Sequence, residues 1–178
     1  MPQNAVYTIG HSTRTAEMFV ALLETHAVTC LADVRTVPRS RHNPQFNGET
    51  LAATLASHAI EYVRLPGLGG FRRTSADSPN AGWRNASFRG YADYMQTPAF
   101  EENLATLIAL ANESTVAIMC AEAVPWRCHR SLIADALTVR GIRAEEIVSE
   151  TKTSVHALTP FARVDGTTIR YPALPLTD

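Results

Sequence analysis

Cysteine is scarce in this 178-residue chain, lysine is almost missing, and several diagnostic runs do not occur. Cys30, Cys120 and Cys128 form neither an even framework nor a paired C-x-x-C ribbon, which argues against a disulfide scaffold and against a four-cysteine zinc site. No apolar run approaches the roughly 20 residues of a membrane-spanning helix, so no membrane partner is expected. The opening Met-Pro-Gln-Asn has no basic stretch followed by an apolar one, so no secretory leader is read there and a cytoplasmic location is expected. A phosphate-gripping G-x-x-x-x-G-K-[ST] run is absent, which disfavours nucleoside triphosphate hydrolysis. Gly67-Leu68-Gly69-Gly70 lacks the G-x-x-G helix start of a dinucleotide site. Repeats and low-complexity segments are absent too. Nothing in the sequence requires a cofactor.

What is present is ordinary in bulk and uneven in detail. With 46% hydrophobic and 19% charged residues, the chain is expected to form one domain over 1–178 with a real core. The net charge of −1 hides an asymmetry: among 16 basic residues Lys152 is the only lysine. Arg35, Arg39, Arg41, Arg72, Arg73, Arg84, Arg89, Arg127 and Arg130 fall in or beside segments read as loops after strands, where Asp77 and Glu122 are the only acids. Guanidinium groups grip carboxylate or phosphate through two parallel hydrogen bonds, so an arginine-lined mouth implies an anionic partner, a small molecule or a nucleic acid. A compositional preference for arginine explains any one of them equally well. Their concentration in loops is the stronger signal.

Hydrophobic periodicity predicts alternating strands and helices. Strands are expected at 5–9, 28–34, 60–65 and 115–120, with a weak fifth at 147–148. Between them, Thr15 caps a helix over 16–26 that carries Met18, Phe19, Leu22 and Leu23 at helical spacing, and Asn47 caps one through 59 with Leu51 and Leu55 inward. Thr97-Pro98 opens a helix with Phe100, Leu104, Leu107, Ile108 and Ala111 on its buried stripe. Leu132, Ile133, Ala136 and Leu137 mark another, ended by Gly141. The segment 66–90 shows no sustained period, is rich in Gly, Arg, Ser and Asn, and reads as a long lid-like loop, with a short helical turn at 91–95 after it. Asp165-Gly166 signals a C-terminal β-hairpin, after which Pro172 and Pro175 end regular structure. The pattern is that of an α/β fold: a three-layer, mostly parallel sheet with helices on both faces, Rossmann-like or flavodoxin-like.

In such a sheet the strand C-termini share one edge, and that edge collects the reactive side chains. His11, Asp33, Arg35, Gly69 and Gly70 follow three different strands. The fourth ends in Cys120 and Glu122, and the next helix begins at Cys128-His129-Arg130. A helix start at a strand end offers free N–H groups and partial positive charge, which suit a bound anion and favour a thiolate. Glu122 beside a buried strand end is expected to need a partner, with Arg127 or Arg130 in reach.

The runs Thr8-Ile9-Gly10-His11-Ser12, Asp33-Val34-Arg35 with Pro38 and Ser40, Leu65-Pro66 with Leu68-Gly69-Gly70, Phe88-Arg89-Gly90-Tyr91, and Cys120-Ala121-Glu122 with Cys128-His129-Arg130 together resemble the family called domain of unknown function 488, over about residues 5 to 148. The resemblance implies an α/β fold and a rim built from these motif residues, and it supplies no reaction.

Three chemistries are open at that rim. Cys120 or Cys128 is a candidate nucleophile, although the nine-residue gap from Cys120 to Arg130 is unlike the cysteine phosphatase loop, and either cysteine packs equally well as a small hydrophobe. Asp33 and Glu122 are candidate acid and base, with a buried Asp33 paired with Arg35 or His11 as the plain alternative. A zinc set of Cys120, Cys128, His129 and His11 is disfavoured because adjacent residues 128 and 129 rarely point at one centre, and no metal is assigned. Arg35, Arg89 and Arg130 are expected to hold an anion, with His11, Ser12, Gly69, Gly70, Tyr91 and His129 around the substrate. The interleaved Arg72, Arg73, Trp83, Arg84, Phe88, Arg89, Tyr91 and Tyr94 add a possible nucleic-acid surface. The expectation is a hydrolase or group transferase acting on a phosphorylated, nucleotide-like or nucleic-acid substrate. The alternative is a non-catalytic nucleotide- or nucleic-acid-binding module.

Overall fold

The computed structural model describes residues 5–174; Pro175 and the Met-Pro-Gln-Asn start lie outside them. Short runs rich in Val, Ile, Ala and Cys form the strands β1 (Val6–Gly10), β2 (Cys30–Asp33), β3 (Glu61–Arg64), β4 (Val116–Cys120) and β5 (Ala144–Ile147), all parallel. A further strand, β6 (Thr153–Val155), pairs antiparallel with β5 and gives the order β3-β2-β4-β1-β5-β6. That order differs from the 3-2-1-4-5 Rossmann sequence by the insertion of β4 between β2 and β1. Residues 153–155 had no strand signal of their own: they are short, half polar, and ordered by pairing with β5.

Side-chain alternation along the central strands builds two cores. Leu31, Ala117 and Met119 face α1 (Ala16–Thr25) and α2 (Gly48–Ala56), which contribute Phe19, Leu23, Leu51 and Leu55. Cys30, Ala32, Val116 and Ile118 face α3 (Ala86–Tyr94), α4 (Pro98–Glu113) and α5 (Arg130–Thr138), which contribute Tyr91, Phe100, Leu104, Leu132 and Leu137. Each fully buried aliphatic or aromatic side chain removes apolar area worth ~1.5 to 3 kcal/mol, so both layers are held by hydrophobic burial.

The helix starts follow capping chemistry. Thr15 accepts from the Met18 N–H, and Thr97, before Pro98, accepts from Phe100. Met18 itself is 57% exposed, so the buried stripe of α1 runs through Phe19, Val20, Leu22 and Leu23. Asn47 precedes α2, but its side chain accepts from the Ser40 N–H and so ties down the preceding loop.

The largest departure from the sequence reading is at 66–90. A single 3-10 turn spans Pro66–Leu68, and α3 already begins at Ala86, capped by Asn85, whose oxygen accepts from Ser87 and Phe88. The expected short turn at 91–95 is therefore the second half of a nine-residue helix. Near the C-terminus β7 (Arg163–Asp165) and β8 (Thr168–Arg170) form the expected hairpin, with Gly166 at φ 62° in the first turn position.

Candidate functional site

Successive crossovers from β2 and β4 leave the sheet on opposite faces, β2 toward α2 and β4 toward α5. The crevice between their carboxyl ends is the place where open α/β sheets hold ligands. A cavity of about 500 Å3 opens there. Its wall comes from the end of β2 (Arg35, Thr36, Val37, Arg39), the β3 loop (Gly70, Phe71), the start of α3 (Asn85, Ser87, Phe88, Tyr91) and the β4–α5 connection (Cys120, Ala121, Glu122, Arg127, Cys128, His129). The β4–α5 connection closes tightly on β1, because a Cβ on Gly10 would sit 1.6 Å from the Glu122 carbonyl oxygen.

Of the charged and imidazole side chains expected at this edge, Arg35, Glu122 and His129 line the cavity, while His11, Asp33 and Arg130 back it from the interior. Asp33 is fully buried, and its carboxylate is saturated. Oδ1 accepts from Arg35 Nε at 2.9 Å and from the Arg35 backbone N–H at 3.1 Å, and Oδ2 accepts from Arg35 Nη2 at 2.7 Å and from the Tyr62 hydroxyl. Burial first, and then this bond to Asp33, push the Tyr62 phenol up to about 12. An acid or base needs a free oxygen, and Asp33 has none, so it positions Arg35. Arg35 Nη2 also donates to the Phe46 carbonyl, and Nη1 lies 3.5 Å from His11 Nε2. His11 stacks on Phe46 with its Nδ1 2.8 Å from the Ser12 carbonyl. Burial lowers the His11 pKa, and a neutral ring with hydrogen on Nδ1 leaves Nε2 as the acceptor for Arg35. Ser12 lies outside the cavity wall, its N–H donating to Ala121.

Arg130 differs from its expected role. It is fully buried, and all five of its N–H groups are used. Nε and Nη2 grip the Glu146 carboxylate at 3.2 and 2.8 Å, Nη1 donates to Cys120 Sγ at 2.6 Å and to the Glu122 carbonyl at 2.7 Å, and the remaining Nη2 hydrogen goes to the Ala123 carbonyl. No donor is left for a substrate anion. Its carboxylate partner is Glu146 on β5, which also accepts from Thr8. The Glu122 side chain is exposed, so the expected Glu122 ion pair is replaced by a backbone contact.

Cys120 and Cys128 face each other as a disulfide pair. A count of three cysteines gave no hint of it, and it closes only the β4–α5 connection instead of stapling the fold. His129 Nε2 lies 2.9 Å from the Val34 carbonyl, which can only accept, so hydrogen sits on Nε2 and Nδ1 carries the lone pair, 3.6 Å from Cys128 Sγ. Burial, with the nearby Arg130 and Arg72 charges, lowers the His129 pKa to about 4 and keeps the ring neutral.

The segment 66–85 is pinned at several points. Asp93 on α3 accepts from Thr74, Ser75, Ser78 and Asn80. Arg72 stacks 3.8 Å over the Tyr94 ring, and Arg89 donates to Thr74 and to the Trp83 carbonyl. Tyr91 is buried with its hydroxyl on the Leu68 carbonyl, and Trp83 packs among Phe88, Phe161 and Tyr171. Of the interleaved arginines and aromatics Tyr91 is buried, Arg72, Trp83, Phe88, Arg89 and Tyr94 are half-buried, and Arg73 and Arg84 are exposed; Arg89 anchors the loop. Gly69 lies against Thr36, and Gly70 faces His129 at the cavity.

Sequence reasoning passed over Phe71 in the cavity wall. It is 87% exposed at φ 59°, an unfavourable backbone conformation for a bulky side chain. Trp126, within the β4–α5 connection, is 70% exposed and does not line the cavity. A phenylalanine directly after Gly69-Gly70 in an otherwise polar loop was the available signal for Phe71. Among the described residues, the side chains of Arg39, Arg127 and Glu122 make no hydrogen bond or ion pair. No group of three or more His, Cys, Asp or Glu among the described residues is arranged to hold a metal ion, and no helix there is long and apolar enough to cross a membrane.

Among known families, the one described as "Domain of unknown function DUF488" matches residues 15–137. No curated protein and no solved structure matches the chain.

Proposed function

The chain belongs to the DUF488 family, and from the geometry we propose that it is a cytoplasmic hydrolase or group transferase acting on a phosphorylated, nucleotide-like or nucleic-acid substrate at the carboxyl edge of the sheet. One observation carries this reading. The free guanidinium groups of Arg39 and Arg127, the free carboxylate of Glu122 and the exposed ring of Phe71 surround a single cavity of about 500 Å3. Two guanidinium groups unpaired among the described residues suit an anionic group such as phosphate, joined by the one Arg35 Nη1 hydrogen without a partner among those residues. Phe71, with Phe88 behind it in the wall, offers a face for a planar base. When reduced, the Cys128 thiol passes its proton to the Glu122 carboxylate and attacks the electrophilic centre, the bond to the leaving group breaks as Glu122 hands that proton on to it, and water or a second substrate then displaces the group from sulfur and restores the thiol.

The test is a thermal-shift series with nucleoside monophosphates, sugar phosphates and short single-stranded oligonucleotides, against uncharged nucleosides as controls. A ligand at a hundred times its Kd stabilises the native state by ~2.7 kcal/mol, a readily measured rise in melting temperature. Arg39→Ala and Arg127→Ala are expected to weaken binding about tenfold or more each, the worth of one charge-assisted hydrogen bond. No shift with any anion, or a shift untouched by the double substitution, would overturn the reading. The saturation of Asp33 favours a second reading, a binding module without turnover, because it removes the expected carboxylate pair. Retained binding with no turnover of any bound ligand would select it.

A further inference from the structure

The sulfur chemistry of the cavity goes beyond substrate binding. Cys120 ends β4 and Cys128 precedes α5, eight positions apart, and their sulfurs meet in the cavity wall. Both residues are nearly inaccessible, at 2% and 4%, so reagents reach them through the cavity. Their surroundings are polar. Arg130 Nη1 donates to Cys120 Sγ at 2.6 Å, the Arg130 backbone N–H donates to Cys128 Sγ at 3.4 Å in the first turn of α5, and His129 Nδ1 stands beside Cys128. The Glu146 carboxylate clamps the guanidinium, so the cation stays in place whichever state the sulfurs adopt. Cys30 is the internal contrast: it lies in the core away from the cavity, and burial, then the Glu61 charge, raise its thiol to about 11.

A guanidinium, as at Cys120, or a helix N-terminal N–H, as at Cys128, favours the thiolate of the sulfur it faces, the form that attacks peroxides and disulfides and also leaves readily from them. We propose that Cys120 and Cys128 form a reversible dithiol–disulfide couple in the cavity wall, oxidised by a hydroperoxide and reduced by a dithiol. The Cys128 thiolate attacks the peroxide oxygen, the O–O bond breaks, and the protonated leaving oxygen departs as water or an alcohol, leaving a sulfenic acid on Cys128. The Cys120 thiolate then attacks that sulfur, the S–O bond breaks, and the oxygen takes a proton and leaves as water. Two electrons have passed from the two sulfurs to the peroxide. A reducing dithiol reverses the state through a mixed disulfide and ends as its own cyclic disulfide. In a reducing compartment a disulfide of this kind is transient and belongs to catalysis or redox sensing.

The experiment uses the full chain, reduced and then treated with one equivalent of hydrogen peroxide, with free thiols counted by maleimide labelling and the bond located by peptide mapping. Native wild-type protein is expected to lose two labelled thiols, to show the Cys120–Cys128 peptide, and to regain both thiols with dithiothreitol. Cys120→Ser is expected to stop at a sulfenic acid on Cys128 that dimedone traps, and Cys128→Ser to give no such adduct at Cys120. Two thiols that persist after peroxide, a bond to Cys30, or a bond formed only between chains would overturn the proposal. These outcomes are read on the wild-type protein, so they hold even if a serine variant fails to fold. They require no nucleotide, so they are independent of the ligand reading above.

Discussion

Arg130 shows how completely a single residue's role depends on its partners. Its position at a helix start beside strand-end groups was legible in the sequence, and that position alone suggests an anion-holding guanidinium. The partner that decides the matter, Glu146, lies on β5, and only the parallel register of β1 against β5, pairing Thr8 with Glu146, brings it into reach. Nothing in a linear sequence encodes that register. Arg130→Lys keeps the charge but loses the two-pronged grip on Glu146 and the contacts to Cys120 and to the 122 and 123 carbonyls. The expected result is destabilisation by about 3 kcal/mol, the cost of breaking a buried ion pair, or a melting temperature lower by roughly 10 °C for a chain of this size. Phosphate-ester affinity per folded molecule should be native. A variant of unchanged stability with lost affinity, read by thermal melts and titration, would return Arg130 to the substrate site. Asp33 follows the same logic: its strand-end position was legible, and its saturation by Arg35 and Tyr62 was not.

The strands and helices with strong period were legible because burial on one face writes itself into the spacing of apolar residues. β4, buried at all five positions between β2 and β1, gave an unbroken apolar run, and α4 showed its stripe together with its Thr97-Pro98 start. The start of α3 was missed because Arg89 and Gly90 interrupt its apolar pattern. Asn85, its cap, is one of several polar residues in a polar stretch. Order in the loop before it comes from a feature with no local signature, the Asp93 carboxylate collecting Thr74, Ser75, Ser78 and Asn80 from up to 19 positions away. Burial alone would raise the Asp93 pKa, but these hydrogen bonds outweigh it and lower the pKa. Asp93→Ala should therefore free residues 74–80 while leaving the sheet intact. Hydrogen exchange is expected to speed up at those amides, with β4 and α4 unchanged; equal protection in both proteins would show that the loop is held by something else.

For the whole molecule, alternation of strand and helix was enough to place the C-terminal strand ends on one edge, and the cavity lies there. The strand order, with β4 between β2 and β1, was not legible, and it decides which loops border the cavity and which groups are sealed behind it. Two imidazoles at this edge, His11 behind the cavity and His129 in its wall, are held neutral, and together they give the fold a pH dependence with a definite sign. Burial lowers the pKa of His11, and lowers that of His129 from the ordinary 6.5 to about 4. Above pH 6.5 both folded and unfolded chains carry neutral rings, so the full stability is present. As pH falls below 6.5 the unfolded chain binds protons first and gains, and the native state loses stability until its own His129 protonates near pH 4. For His129 alone the loss amounts to about 2 kcal/mol at pH 5 and approaches about 3 kcal/mol below pH 4. His129→Gln keeps an N–H for the Val34 carbonyl but cannot titrate. Urea unfolding at pH 7.5 and at pH 5 should show the wild-type protein losing about 2 kcal/mol more than this variant across the interval. Identical losses in the two proteins would mean that folding does not lower the His129 pKa, so that at pH 5 the native ring would be charged and its lone pair unavailable to Cys128.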